Sequence, residues 1–192
     1  MIDILLKAFE LKDEKRTGWE LRNIEDPETV ADHTWGTAFN VLVHAPEKID
    51  KEKTLKMALI HDIGETEAGD IAHRAVDAEN EVTEEEKEQK EEEAVQKISE
   101  ALGEELLDLW KEYEERETKE AKFVKDMDLI DMCLTALKYE KENRYDPEEE
   151  NENFQEYDDL DEFFATSEPR ITTLKGQELF REIKKRYEQA KQ

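Results

Sequence analysis

From Leu55 to Ile60 the chain is apolar apart from Lys56, and the run leads straight into His61 and Asp62, with no turn residue before Gly64. A run of this kind predicts a buried helix. An imidazole and a carboxylate are costly in such surroundings unless something satisfies both. Hydrogen bonds within the pair and to nearby backbone are one solution. A divalent metal site is the other, because imidazole nitrogen and carboxylate oxygen suit a borderline transition metal. The choice turns on whether further ligands stand elsewhere in the chain.

The remainder of the sequence reads as helix. With 192 residues the chain has material for one sizeable core and is short for two. Only 6 Gly and 4 Pro break a composition rich in Ala, Leu, Glu and Lys. Ile2, Leu5, Leu6 and Phe9 give a short first helix. Asp26-Pro27-Glu28 reads as a helix start with Asp26 as N-cap, followed by Thr29 to His44 with Val30, Trp35, Ala38, Phe39, Leu42 and Val43 as its apolar side. Asp50 caps a helix from Lys51 to Glu65, and Gly64 and Gly69 bracket a break. The charged stretch from Asp77 to Glu93 reads as a solvated helix starting near Thr83. Thr118 caps a helix in which Phe123, Met127, Ile130, Leu134 and Leu137 recur at steps of four and three, a core stripe interrupted by Asp126, Asp128 and Asp131. Arg144 to Tyr157 is acidic and is expected to be a mobile loop, and Arg170 to Tyr187 forms a last helix. The expectation is an all-α helical bundle, one domain over residues 1–192.

A net charge of −26 argues against nucleic acid and against anionic membrane as partners. The single cysteine, Cys133, fits a reducing compartment. The N-terminal stretch is too short and too charged for a secretory signal, and no segment has the length of a membrane span, so a cytoplasmic protein is expected.

One cysteine cannot build a thiolate site. The chain has no Gly-rich phosphate loop, no His-Glu-x-x-His and no nucleophile elbow. What remains is His33, then His61-Asp62, then an aspartate between 126 and 131, each on an expected helix. This nitrogen and oxygen set can hold a divalent ion with positions left for water and substrate. Arg16-Thr17-Gly18-Trp19 places a guanidinium beside an indole, which suits an anion joined to a flat organic group. The same segment also reads as a surface loop whose Trp covers the core edge.

Several stretches together resemble the HD-domain superfamily of metal-dependent phosphohydrolases, and most closely its 5′-deoxynucleotidase branch. They are Arg16-Thr17-Gly18-Trp19 with Arg22-Asn23, Glu28 through His33, Leu59-Ile60-His61-Asp62 through Glu65 to Gly69-Asp70-Ile71, and Ala121 through Asp128. The resemblance implies metal ligation by His33, His61, Asp62 and Asp128. Asp131 rivals Asp128, since it lies nearer the middle of the apolar stripe. The resemblance further implies Glu65 as general acid or base, Arg16 on the phosphate, Trp19 on the sugar, and Asp70 as a sugar or water contact. The cofactor would be a divalent ion (Mn, Co, Fe, Ni, Zn or Mg), the substrate a nucleoside 5′-monophosphate and the assembly a homodimer. Trp35-Gly36 departs from the family pattern, where a smaller or polar aromatic pair and often an arginine stand. Rival functions are a nucleotide pyrophosphohydrolase and a non-catalytic helical binding module that keeps a structural metal.

Overall fold

The computed structural model describes residues 1–70, 84–147, 157 and 159–191. His73, the helix start near Thr83 and most of the acidic loop lie outside the described residues. Within them ten α-helices follow one another: α1 (Ile2–Phe9), α2 (Thr17–Leu21), α3 (Val30–His44), α4 (Lys51–Ile60), α5 (Glu65–Ala68), α6 (Glu84–Leu102), α7 (Glu105–Glu115), α8 (Lys119–Glu142), α9 (Asp161–Ser167) and α10 (Leu174–Ala190). The fold is all-α, as expected.

Helix α8 is the axis of the bundle. Phe123, Val124, Met127, Ile130, Cys133 and Ala136 on it are all nearly inaccessible, because α3, α4, α7, α9 and α10 pack around it. Its ends obey local chemistry. The Thr118 side chain accepts from the Ala121 N–H at 3.1 Å, and Asn143 closes the C-terminus in the left-handed region at φ 52°. Of the expected stripe only Leu134 faces outward. The three aspartates that interrupt the stripe are buried with it. Asp126 turns to the start of α10, accepting from the Thr172 and Thr173 N–H groups at 2.9 and 2.7 Å.

Three expectations are corrected. Helix α3 starts at Val30 with Thr29 as N-cap, not Asp26, because Thr29 and Asp32 form a reciprocal capping box. Of its expected apolar side Val30 and Ala38 are buried, and the rest is turned outward. Trp35, Phe39, Leu42 and Val43 are half or more exposed, while His33, Gly36, Thr37 and Asn40 face the core with Val30, Ala38 and Val41. The helix from Lys51 does not continue to Glu65. It ends at Ile60, the chain turns through residues 61–64, and Glu65 opens the short α5. The run from Leu55 to Ile60 is accordingly buried on one side only, and Leu59 is exposed.

Candidate metal centre

Each histidine of the expected set is delivered by its own element and held from behind. His33 lies one turn into α3 and is fully buried. Its Nδ1 is 2.8 Å from an Asp131 carboxylate oxygen. His61 follows the last residue of α4, and its Nδ1 lies 2.9 Å from the Ala58 carbonyl, which can only accept. Held in this way, the two rings turn their Nε2 atoms toward each other at 3.4 Å.

Asp62 and Asp128 complete the convergence. An Asp62 oxygen lies 3.2 Å from His61 Nε2 and 3.6 Å from His33 Nε2. Asp128 Oδ1 lies 3.2 Å from His33 Nε2. Its other oxygen accepts from Lys125 Nζ at 2.7 Å and from the Tyr113 hydroxyl at 3.0 Å. The two rival α8 aspartates meet opposite nitrogens of one ring, Asp128 at the Nε2 side of His33 and Asp131 at the Nδ1 side, and Glu28, His33 and Asp131 make a second set of donor atoms within 4.8 Å of one another.

His33, His61 and Asp62 offer donor atoms all within 4.8 Å of one another, which suits a divalent cation, and Asp128 adjoins them at His33. Bonds of about 2.1 Å would separate neighbouring donor atoms by about 3.0–3.4 Å, close to the spacing seen here. Two Nε2 atoms 3.4 Å apart cannot both carry protons aimed at each other. At least one of the two rings therefore offers a lone pair to the cluster, as a cation site requires.

Arg16 approaches the same cluster from the N-terminal segment. An isolated antiparallel bridge joins Lys15 to Thr29, with the Arg16 N–H donating to the Glu28 carbonyl at 3.1 Å. This stitch sets Arg16 against the start of the helix that carries His33. Its guanidinium lies 3.5 Å from Asp62 and 3.3 Å from Asp70. Asp70 is fixed in turn by the Thr17 N–H, which donates to its carboxylate at 2.5 Å. Glu65 is buried and close enough to act on the Arg16 charge.

A family model described as HD domain matches residues 8–167. The chain belongs to the HD domain family. It is 40% identical over 140 residues to the 5′-deoxynucleotidase HDDC2 of Mus musculus, covering 73% of this chain and 70% of that protein. It is 36% identical to the 5′-deoxynucleotidase hdd1 of Schizosaccharomyces pombe, covering 68% of each. The PH0347 protein of Pyrococcus horikoshii OT3 has a similar structure, with a TM-score of 0.73 and 30% identity over 100% of this chain and 98% of that one.

Electrostatics in this HD domain follow from burial with opposite charges close by. Burial and the Arg16 charge oppose a proton on His33, but hydrogen bonds with Asp128 and Asp131 outweigh them and raise its pKa to about 10. Burial lowers that of His61. Burial also resists ionisation of Asp128, yet Lys125 and His33 hold it well below the usual carboxylate range. Burial lowers the pKa of Lys125 itself, against the pull of Asp128.

The HD domain brings His33, His61, Asp62, Asp128, Arg16, Asp70 and Glu65 to one region, and leaves Trp19 out of it. Trp19 is 1% exposed, stacked on Phe163 at 4.0 Å between ring centroids, with its indole N–H donating to Glu28 at 2.9 Å. Where the sequence expected Trp19 to pack on a sugar, the ring is buried, stacked on Phe163, in an edge contact with Tyr139 and bonded at its polar tip. Sequence reasoning missed Lys125 and Tyr113. Lys125 stands three residues before Asp128 on one helix, a spacing at which opposite charges meet, and that signal was available. Tyr113 comes from α7, and nothing in its sequence surroundings marks it.

Proposed function

We propose that this chain is a metal-dependent phosphomonoesterase that hydrolyses nucleoside 5′-monophosphates, preferentially those of deoxyribose, to nucleoside and phosphate. The observation that carries the reading is the meeting of His33, His61, Asp62 and Asp128, drawn from α3, the turn after α4, and α8, with the Arg16 guanidinium beside them. The 5′-deoxynucleotidase relatives support the substrate class. His33 and His61 through Nε2, with Asp62 and Asp128 through carboxylate oxygens, would hold the cation. When bound, it supplies Lewis acidity toward the phosphoryl group and lowers the pKa of a water molecule.

The chain's own residues do the rest. Arg16 donates to phosphate oxygens, and the carboxylates that surround it keep its side chain in place until substrate competes for it. In a chain of net charge −26 this guanidinium also offsets repulsion of an anionic substrate. Lys125 and Tyr113 fix Asp128 so that Oδ1 alone faces the cluster. Glu65, buried next to these groups, takes a proton from the attacking water or returns one to the leaving 5′-oxygen. Asp70 holds Arg16 and borders the space for the sugar.

The whole chain acts as one domain in this reading, and the buried thiol of Cys133 suits the reducing cytoplasm. Among the described residues no helix is long and apolar enough to cross a membrane. The outward stripe of α3 (Trp35, Phe39, Leu42) and the exposed apolar residues of α1 are the surfaces a homodimer would bury. Sedimentation should give twice the chain mass, and Trp35→Asp should return it to the monomer.

The deciding assay is release of inorganic phosphate from a panel of deoxy- and ribonucleoside 5′-monophosphates, with Mn²⁺, Co²⁺, Fe²⁺, Ni²⁺, Zn²⁺ or Mg²⁺ added to chelator-treated protein. Phosphate release with a deoxyribose preference is expected. Pyrophosphate release from triphosphates, or no turnover with any metal, would overturn the reading.

A further inference from the structure

The interface between α3 and α8 contains an arrangement that the metal site alone does not require. Gly36 lies in α3, three residues after His33, and a Cβ built on it would fall 2.0 Å from Asp131 Oδ1 and 2.7 Å from that carboxyl carbon. Gly36 has an ordinary helical backbone, so the residue is not there for conformational freedom. In a helix interior glycine costs roughly 0.5–1 kcal/mol relative to alanine. What it provides is a notch beside the His33 ring, and the notch is filled by the Asp131 carboxylate, whose other oxygen lies 2.8 Å from His33 Nδ1.

We propose that Asp131, admitted by Gly36, is a positioning residue that keeps the proton of the His33 imidazole on Nδ1 and its Nε2 lone pair aimed at the cation. The proposal rests on the metal-centre reading above. A neutral imidazole has one N–H and one lone pair, and a carboxylate at one nitrogen makes that nitrogen the donor. Such a partner fixes the tautomer and orientation of a ligating ring and makes it a better ligand. The placement of every other group agrees. Asp128, Asp62 and His61 all meet His33 at Nε2, and among the described residues Asp131 makes the hydrogen bond at Nδ1, with Glu28 adjoining the pair. Asp128 and Asp131 stand three residues apart on α8, and the ring lies between their carboxylates. His61 is held by the neutral Ala58 carbonyl instead. The two rings therefore differ in kind: His33 has a charged holder, and His61 does not.

The test uses the full chain with three variants: Asp131→Asn, Gly36→Ala and both together. Co²⁺ affinity is measured by competition with a chromophoric chelator, alongside the visible Co²⁺ spectrum. Protein labelled with ¹⁵N-histidine and loaded with Zn²⁺ reports the ring tautomers. Asp131→Asn, nearly the same in shape, should bind Co²⁺ about 10- to 100-fold more weakly. Its Co²⁺ bands should keep their positions, because no ligand is lost, while the low-field His33 Nδ1–H signal of the parent disappears. Gly36→Ala should weaken binding by the same route, and the double variant should be no worse than the weaker-binding single one. Additive losses would overturn the proposal, as would unchanged affinity and an unchanged Nδ1–H signal in Asp131→Asn. Shifted Co²⁺ bands would make Asp131 a ligand and overturn it too. If the parent chain binds no divalent ion, the metal-centre reading fails with it; if the parent binds and Asp131→Asn matches it, only the positioning role fails. Should Gly36→Ala not fold, the Asp131→Asn measurements decide alone.

Discussion

His33 is bonded at both ring nitrogens, and this sets how the metal-free protein responds to pH. Its pKa of about 10 in the fold exceeds the ordinary 6.5. The folded state holds that proton more tightly than the unfolded chain does. The stabilisation is complete below about pH 6.5 and is lost as pH rises through about 10. The urea midpoint of chelator-treated protein should therefore fall steadily over that interval. A saturating divalent ion competes with the proton for Nε2 and should flatten the decline. At the same scale, Asp62→Ala should abolish both metal binding and turnover. Glu65→Gln should keep the metal and lower turnover by about 10² or more. Equilibrium dialysis beside the phosphate assay separates the two cases, and an unchanged rate in Glu65→Gln would remove it from the chemistry.

Among the elements, α3 carries the largest tension between local pattern and tertiary role. Its apolar residues at Trp35, Phe39 and Leu42 form a clean helical stripe, yet the stripe faces outward. The buried side carries His33, Gly36, Thr37 and Asn40, because the His33 imidazole and the Asp131 carboxylate that meets it lie between α3 and α8. The Thr29–Asp32 capping box fixes where this helix begins, and so the height of His33 against α8. Thr29→Ala should lower stability by about 1 kcal/mol, read as a shift in urea midpoint. The joint between α8 and α10 is equally tight. A Cβ on Gly176 would lie 2.3 Å from Asp126 Oδ2, so Gly176→Ala should cost about 1–3 kcal/mol in the same measurement.

The molecule as a whole combines a charge of −26 with a site that must admit an anion. Its described surface ion pairs are mostly exposed, as between Lys56 and Glu52, and contribute little each. Net repulsion should dominate, so the thermal midpoint should rise between low and 0.5 M NaCl as screening shortens to a few ångströms. Much of this protein was legible without a structure. Helix content, the Thr118 and Asp50 caps, the histidine and aspartate inventory and the ordered motifs of the HD domain all follow from composition, spacing and residue type. Those signals are local, since a helix's period fixes each residue's angle relative to its own stripe. Which stripe meets which neighbour is not local. Tertiary packing alone decided that α3 buries its polar side, that Trp19 belongs to the core, and that Asp128 and Asp131 take opposite nitrogens of one ring. The physical reason is that buried charges satisfied by one another across helices can outweigh the apolar stripe of a single helix, and partners so far apart in sequence leave no periodic trace.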